Sequence, residues 1–479
     1  MKIWRRACKI GSLMLLSAAI AACSGGRGGA EQSGNRSSSS PAGGISAPDN
    51  ITAVTITVMT KDRFLAEAEQ KFEAANPGID IQISELVPAD TSSGDKVIIK
   101  SGGDADSGPK PEDVEKYANT VNTALMSGKA SDIISTEYLP VDEYVDKGLL
   151  ADWNELAAQD SGFDKAGYYE NVLYGVSQGD GWYGIPIDFS LDFLLGDASL
   201  VEQNGLNDDT WTWDQFIELL ETAKAEGKFG IAMITPEKLL QNLAEAVYGQ
   251  LVKRDGDKAV FDASLFQTYM ENIKRLYDND LATPDGIGPE NASFQYHTLT
   301  GPMEAALLPR SDGSPQAWIK PPGTGKDAAK GIPFQSSRVL SLNAKSQVKE
   351  AAWSFVQFLL SEEMQSSTAM RSFSVNKAAA KAKLAETQEM LARSGSGDGA
   401  DGPQISMRSK DGSVITPTFS DEDIEKVLGL LSTASQYSNR DPQVLSMIAE
   451  ATTDYFSGSK SAAAVAGSLA NRINTYLNE

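Results

Sequence analysis

Val54, Ile56 and Val58 alternate with threonines, the period-two pattern of a half-covered strand. The loop Met59-Thr60-Lys61-Asp62-Arg63 follows. Leu65, Ala68 and Phe72 then recur at helical spacing until Asn76-Pro77-Gly78 stops the helix. Ile79, Ile81 and Ile83 alternate again. A strand, a helix and a strand in this order predict a parallel pair with a right-handed crossover. Ligands of such sheets sit beyond the carboxyl ends of the strands, here at Lys61–Phe64.

Further along, the pattern predicts a short strand at Ala130–Ile134 and core contacts from Tyr144, Leu149 and Leu150 around a turn at Gly148. The aromatic segment Trp182–Ser190 carries Pro186, which excludes a central strand or a helix interior. Thr212-Trp213-Asp214-Gln215 reads as a capping box that opens a helix with Phe216, Leu219, Leu220 and Ala223 on one face. Trp211 and Trp213 are expected to pack that helix start. Val348, Ala351, Ala352, Phe355 and Leu359 mark another helix face, and Val465, Leu469, Ile473 and Leu477 a last one. Residues 88–111 are polar and read as a surface insertion. Asp104 and Asp106 within it lack the spacing of an EF-hand loop.

Composition narrows the chemistry. With 479 residues the chain is long enough for about three ordinary domains or two larger lobes. Its formal charge of −23 argues against nucleic acid as a partner. Two cysteines, Cys8 and Cys23, and one histidine, His297, cannot build a structural zinc site, so neither metal nor cofactor is expected. No disulfide can form in the body, which therefore relies on core packing.

The first residues read as an address. Lys2, Arg5, Arg6 and Lys9 precede an apolar run, Ile10–Ile20, too short to span a bilayer. Ile20-Ala21-Ala22-Cys23 resembles the lipobox of bacterial lipoproteins, in which the cysteine is lipidated and becomes the new N-terminus. Residues 24–50 hold seven Gly and seven Ser and read as a flexible linker from that anchor.

Taken in order, these pieces resemble the extracellular solute-binding proteins of ABC importers, in the branch similar to maltose-binding protein. The resemblance rests on the lipobox, the strand-loop-helix at 54–75, and Gly128-Lys129-Ala130-Ser131-Asp132-Ile133-Ile134. It continues through Gly148-Leu149-Leu150-Ala151-Asp152, Tyr183-Gly184-Ile185-Pro186-Ile187-Asp188, the capped helix at Thr212 and Lys349–Phe355. It implies an α/β protein with the two-lobe periplasmic-binding-protein-like fold (type II), a hinge of about three crossings and an interlobe cleft. Residues 51–187 and 298–344 would form the first lobe, and 188–297 and 345–479 the second. The first crossing would fall near Pro186–Phe189.

By the same resemblance the ligand-binding residues would be Lys61, Asp62 and Arg63 after the first strand, and Glu137 and Tyr138 after Ile134. Asp188 would make an acidic sugar contact, with Trp182, Tyr183 and Phe189 beside it. At the return to the first lobe the chain reads Thr300-Gly301-Pro302-Met303, without the aromatic that the family often carries there. Met303 and Trp318 complete the candidate set. The ligand would be a carbohydrate, the partners an ABC permease and, through Cys23, the extracellular face of the cell membrane. The protein would act as a monomer and without catalysis.

Three enzyme patterns weigh less. Gly175-Val176-Ser177-Gln178-Gly179 matches G-x-S-x-G, yet the following Asp180-Gly181-Trp182-Tyr183-Gly184-Ile185-Pro186 cannot supply the helix that a nucleophile elbow requires. Gly323-Thr324-Gly325-Lys326 lacks the Ser/Thr and the upstream glycine of a phosphate loop. A membrane-anchored glycoside hydrolase needs a facing carboxylate pair, for which Asp188 and Asp192 are the first candidates.

Overall fold

The computed structural model describes residues 51–88, 109–177, 179–208, 210–255, 258–285, 292–308, 316–322, 331–395, 407–408, 414–415, 417–437 and 441–478. Cys23, the linker, Gln178, Asp104, Asp106 and Gly323–Lys326 lie outside them. Residues 47–479 form one compact unit.

The expected β–α–β unit is present. β1 (Thr52–Val58), α1 (Arg63–Ala75) and β2 (Ile79–Glu85) place Val54 opposite Ile81 and Ile56 opposite Ile83 in a parallel pair. α2 (Pro111–Ser127), β3 (Ile133–Ser135), α3 (Val141–Asp146), β4 (Leu150–Ala151), α4 (Asn154–Ala157), α5 (Glu170–Leu173) and β5 (Ile185–Pro186) follow. Gly148 takes φ 63° at the end of α3, a left-handed turn that glycine makes without strain. β1 and β3 are parallel, and a late strand joins this first sheet next to β3, β4 and β5.

The second sheet is built on β6 (Asp188–Asp197), a ten-residue strand covered on both faces. Then come α6 (Ala198–Gln203), α7 (Trp213–Ala225), β7 (Phe229–Ala232), α8 (Pro236–Ala246), α9 (Tyr248–Leu251), the hairpin β8 (Val252–Asp255) and β9 (Lys258–Phe261), and α10 (Ala263–Asp278). The Thr212 capping box is formed, with both of its hydrogen bonds. Trp211 and Trp213 are buried against Phe216 as expected. β10 (Ala282–Thr283), β11 (Ala292–Leu299), α11 (Pro302–Leu307), β12 (Gln316–Ile319) and β13 (Ile332–Gln335) complete most of the sheet. Its order is β10-β7-β11-β6-β13.

β14 (Val339–Asn343) is the late strand of the first sheet, antiparallel to β3, β4 and β5. α12 (Lys349–Leu360), α13 (Glu362–Gln365), β15 (Phe373–Ser374), α14 (Lys377–Gly395), the two-stranded β16 (Met407–Arg408) and β17 (Val414–Ile415), α15 (Asp421–Leu431), β18 (Ala434–Tyr437), α16 (Pro442–Phe456) and α17 (Ala462–Leu477) close the chain. Among the described residues no helix is long and apolar enough to cross a membrane.

Strand pairing moves two expected boundaries. β11, β12 and β13 all pair within the second sheet, so the chain returns to the first sheet at Ser336–Arg338 rather than near residue 298. α12 packs on α1, β1 and β14, and so belongs with the first sheet rather than the second. Its buried Ala352, Phe355, Val356, Leu359 and Leu360 cover that sheet, and each large side chain contributes about 1.5–3 kcal/mol of apolar burial. The chain therefore crosses between the sheets at Ile187, at Ser336–Arg338 and between α12 and β15, which pairs with Phe189 and Asp188 of β6.

One buried amide ties two of these crossings. The Gln365 side chain donates to Ile187 O and Leu359 O, each at 2.9 Å, and accepts from Ser374 Oγ at 2.6 Å and Val375 N at 3.0 Å. Gln365→Leu keeps the volume and removes all four bonds. It should cost about 2–4 kcal/mol, read as a drop in the urea midpoint of the unliganded protein. An unchanged midpoint would show that the crossings are held by packing alone.

Candidate functional site

β1 and β3 of the first sheet, and β7, β10 and β11 of the second, point their carboxyl ends towards the crossings. Side chains from both sheets meet there. After β1, Thr60 donates to Val87 O at 2.9 Å and Lys61 N donates to a Glu85 carboxylate oxygen at 2.7 Å, which fixes the loop. The Lys61 ammonium pairs with Glu69 on α1. Asp62 caps α1, its Oδ1 accepting from Leu65 N at 2.9 Å. Its Oδ2 accepts from Nε and Nη2 of Arg338. Arg63 is exposed on the first turn of the helix.

Asp188, the first residue of β6, is wholly buried. Its Oδ1 accepts from Ser337 N at 2.8 Å and Ser336 Oγ at 3.1 Å, and its Oδ2 from Ser337 Oγ at 2.5 Å and from Arg338 Nη1. Two pleat repeats along the strand, Asp192 accepts from Thr298 Oγ1 at 2.7 Å and Gln335 Nε2 at 2.5 Å. These two aspartates, the pair considered for glycoside hydrolysis, are buried and spoken for by donors of the protein itself.

Glu137 is enclosed beneath the start of β14. It accepts from Ser135 Oγ at 2.6 Å and Val339 N at 3.3 Å. Burial pushes its carboxyl up to about 7, more than its hydrogen bonds and the nearby Arg338 charge pull it down. Burial likewise holds His297 down at about 4, so its imidazole is neutral at physiological pH.

The aromatic candidates separate. Trp182 lies inside the first-sheet core: its indole N–H donates to Leu173 O at 2.9 Å, and its ring packs on Tyr174, Phe163 and Trp353. Phe189 is equally enclosed, against Tyr169, Phe334 and Phe373. Neither presents a face to a ligand here, because each ring is surrounded by other rings. Tyr138 and Tyr183 are half-buried beside the α2–α3 core. Met303 is half-buried on the first turn of α11. Trp318 stacks on Phe193 at 5.2 Å, opposite Leu195 of β6 and well along that strand from the crossings.

Sequence reasoning missed Arg338, Gln335, Thr298 and Gln365. A signal for the first two existed: Gln335-Ser336-Ser337-Arg338 is a polar run between two apolar strands. It also missed Met233, at the carboxyl end of β7, whose φ of 65° is left-handed. A side chain there costs roughly 1–2 kcal/mol. Ser177 of the G-x-S-x-G match lies in a turn after the short α5 rather than between a strand and a helix.

The two sheets' helices also meet away from the crossings, where α16 packs on α2. Asp441 caps α16 next to Tyr248 and Tyr476. Burial raises its carboxyl, and Glu143 on α3 adds repulsion. Among the described residues no group of three or more His, Cys, Asp and Glu is placed to hold a metal ion.

Residues 59–366 match the profile of a family described as bacterial extracellular solute-binding protein. No curated protein matches the chain. Among solved structures, an extracellular solute-binding protein of family 1 from Alicyclobacillus acidocaldarius is similar at 18% identity, over 90% of this chain and 99% of that one, with TM-score 0.54. The sugar-binding protein MalE of Xanthomonas citri is similar at 14% identity, over 89% and 97%, with TM-score 0.54. The galacto-N-biose-/lacto-N-biose I-binding protein of an ABC transporter from Bifidobacterium longum is similar at 15% identity, over 88% and 96%, with TM-score 0.50. At these identities the likeness is one of fold, and it is the two-lobe α/β fold that the sequence led one to expect.

Glu137 yields a pH prediction. Its folded value lies above its ordinary 4.5, so the folded state keeps a proton that the unfolded chain releases. The associated stability is complete below about pH 4.5 and is lost as pH rises through about 7. Glu137→Gln, neutral throughout, should flatten the fall in stability between about pH 5 and pH 8 by on the order of 2 kcal/mol. Urea unfolding of both proteins across that range checks this. Parallel curves would place the Glu137 proton elsewhere.

Proposed function

Because this chain belongs to the bacterial extracellular solute-binding protein family, we propose that it captures an oligosaccharide between its lobes and delivers it to the permease of an ABC importer. The observation that carries the reading is the convergence of strand ends from both sheets on a polar, hydrogen-bonded set of crossings. The chain passes between the two sheets in three backbone segments, the kind of connection that hinge closure uses. The similar proteins from Xanthomonas citri and Bifidobacterium longum, a sugar-binding protein and a galacto-N-biose-/lacto-N-biose I-binding protein, support carbohydrate as the solute class.

A solute that touches both lobes binds the closed form better than the open one, and closure follows from that difference in affinity. A micromolar ligand supplies about 8 kcal/mol of binding free energy, enough to bias closure and still allow release. Asp62 and Lys61 present the half-exposed edge of the loop after β1, and Tyr138, Tyr183 and Met303 are the half-buried candidates for contact with sugar C–H faces. The lipobox and the Gly/Ser-rich segment after it support attachment through Cys23 to the outer face of the cell membrane.

Two measurements test the reading. In a thermal-shift panel of mono- and oligosaccharides, a binding sugar should raise the melting temperature and be recovered intact. A panel without any shift sinks the carbohydrate assignment, and sugar recovered as cleavage product makes the protein a hydrolase. Mass spectrometry of the mature protein should find a lipid-modified Cys23 as the first residue; an unmodified start elsewhere removes the anchor.

A further inference from the structure

Arg338 stands on the second crossing, and its side chain is only 16% exposed. It binds two carboxylates at once. Nε and Nη2 hold Asp62, the cap of α1 in the loop after β1, and Nη1 holds Asp188, the root of β6. The ring of Phe64 lies 5.3 Å from the guanidinium carbon. The backbone of the same residue is tied to the first crossing, since Ile187 N donates to Arg338 O at 2.9 Å.

We propose that Arg338 is a positioning residue that sets the Lys61–Arg63 loop according to the angle between the lobes. A guanidinium is planar and its donors form a fixed fork, so it cannot follow one carboxylate without turning away from the other. Asp188 moves with β6 and the second sheet. Asp62 moves with α1 and the first. Relative rotation of the two must therefore either shift the Asp62 carboxylate or open one end of the clasp. Asp62 Oδ1 also holds the Leu65 amide, so a shift of Asp62 reaches the first turn of α1 and the loop before it. The inference relies on the receptor reading for the purpose of the motion, whereas the coupling is a property of the unliganded protein.

Hydrogen exchange of the unliganded full chain tests it, with no sugar needed, so a failed ligand search leaves the result standing. Arg338→Lys keeps the charge and loses the fork. Asp188→Asn and the milder Ser337→Ala alter the far end of the clasp without touching the loop. All three should speed exchange of the Leu65 amide by about tenfold while amides in α7 stay at the wild-type rate. The signature is the response of Leu65 to Ser337→Ala, whose hydroxyl is bonded to Asp188 and linked to Leu65 through Asp188, Arg338 and Asp62. Wild-type exchange at Leu65 in Ser337→Ala and Asp188→Asn overturns the coupling. Exchange that rises equally in α7 overturns it too, because the residues would then serve general stability. Arg338→Lys behaving as wild type would show that charge alone, rather than the fork, does the holding.

Discussion

A single guanidinium among three carboxylates fixes the place where the chain passes between its two sheets. Removing Asp188 from water without partners would cost several kcal/mol, and a strand starting with it could not be covered on both faces. Four donors from Ser336, Ser337 and Arg338 offset that cost. Asp62 takes the other side of the same cation. Glu137 comes third, and here burial wins over the attraction of Arg338, so that this carboxyl holds its proton up to about pH 7. With one cation against the Asp62 and Asp188 carboxylates, the cluster carries one net negative charge in slightly acid solution and gains a second above neutrality.

That arrangement reassigns residues expected to touch ligand. Both Asp188 oxygens are committed to the crossings, and the carboxylate is enclosed. Asp62 is half-exposed but also committed at both oxygens, so a ligand hydroxyl at Asp62 must donate to an oxygen that already accepts. Carboxylate oxygens have lone pairs to spare for this.

Much of the fold could be read from local pattern. The alternation at Val54–Val58, the Thr212 capping box and the helix face at Ala352–Leu359 all depend on neighbours within a few positions. The misplaced boundary had a different cause. β11, β13 and β14 are similar apolar strands, and only pairing partners far off in the chain decide which sheet each joins. Trp182 and Phe189 show the same gap: an aromatic near a hinge packs in core or faces solute depending on Phe163, Trp353 and Phe373, remote in sequence. Arg338 was silent for the same reason, its partners being 276 and 150 residues away.

Among the described residues, two of the contacts between the lobes differ in charge character. At the crossings, opposite charges meet and are held by short-range geometry. At the α2–α16 contact, Asp441 faces Glu143 with tyrosines between, and like charge is tolerated because Tyr476 donates to Asp441 and burial favours its protonated form. Attraction therefore sits where the chain crosses between the sheets, whereas burial and a tyrosine donor, rather than ion pairing, settle the far contact.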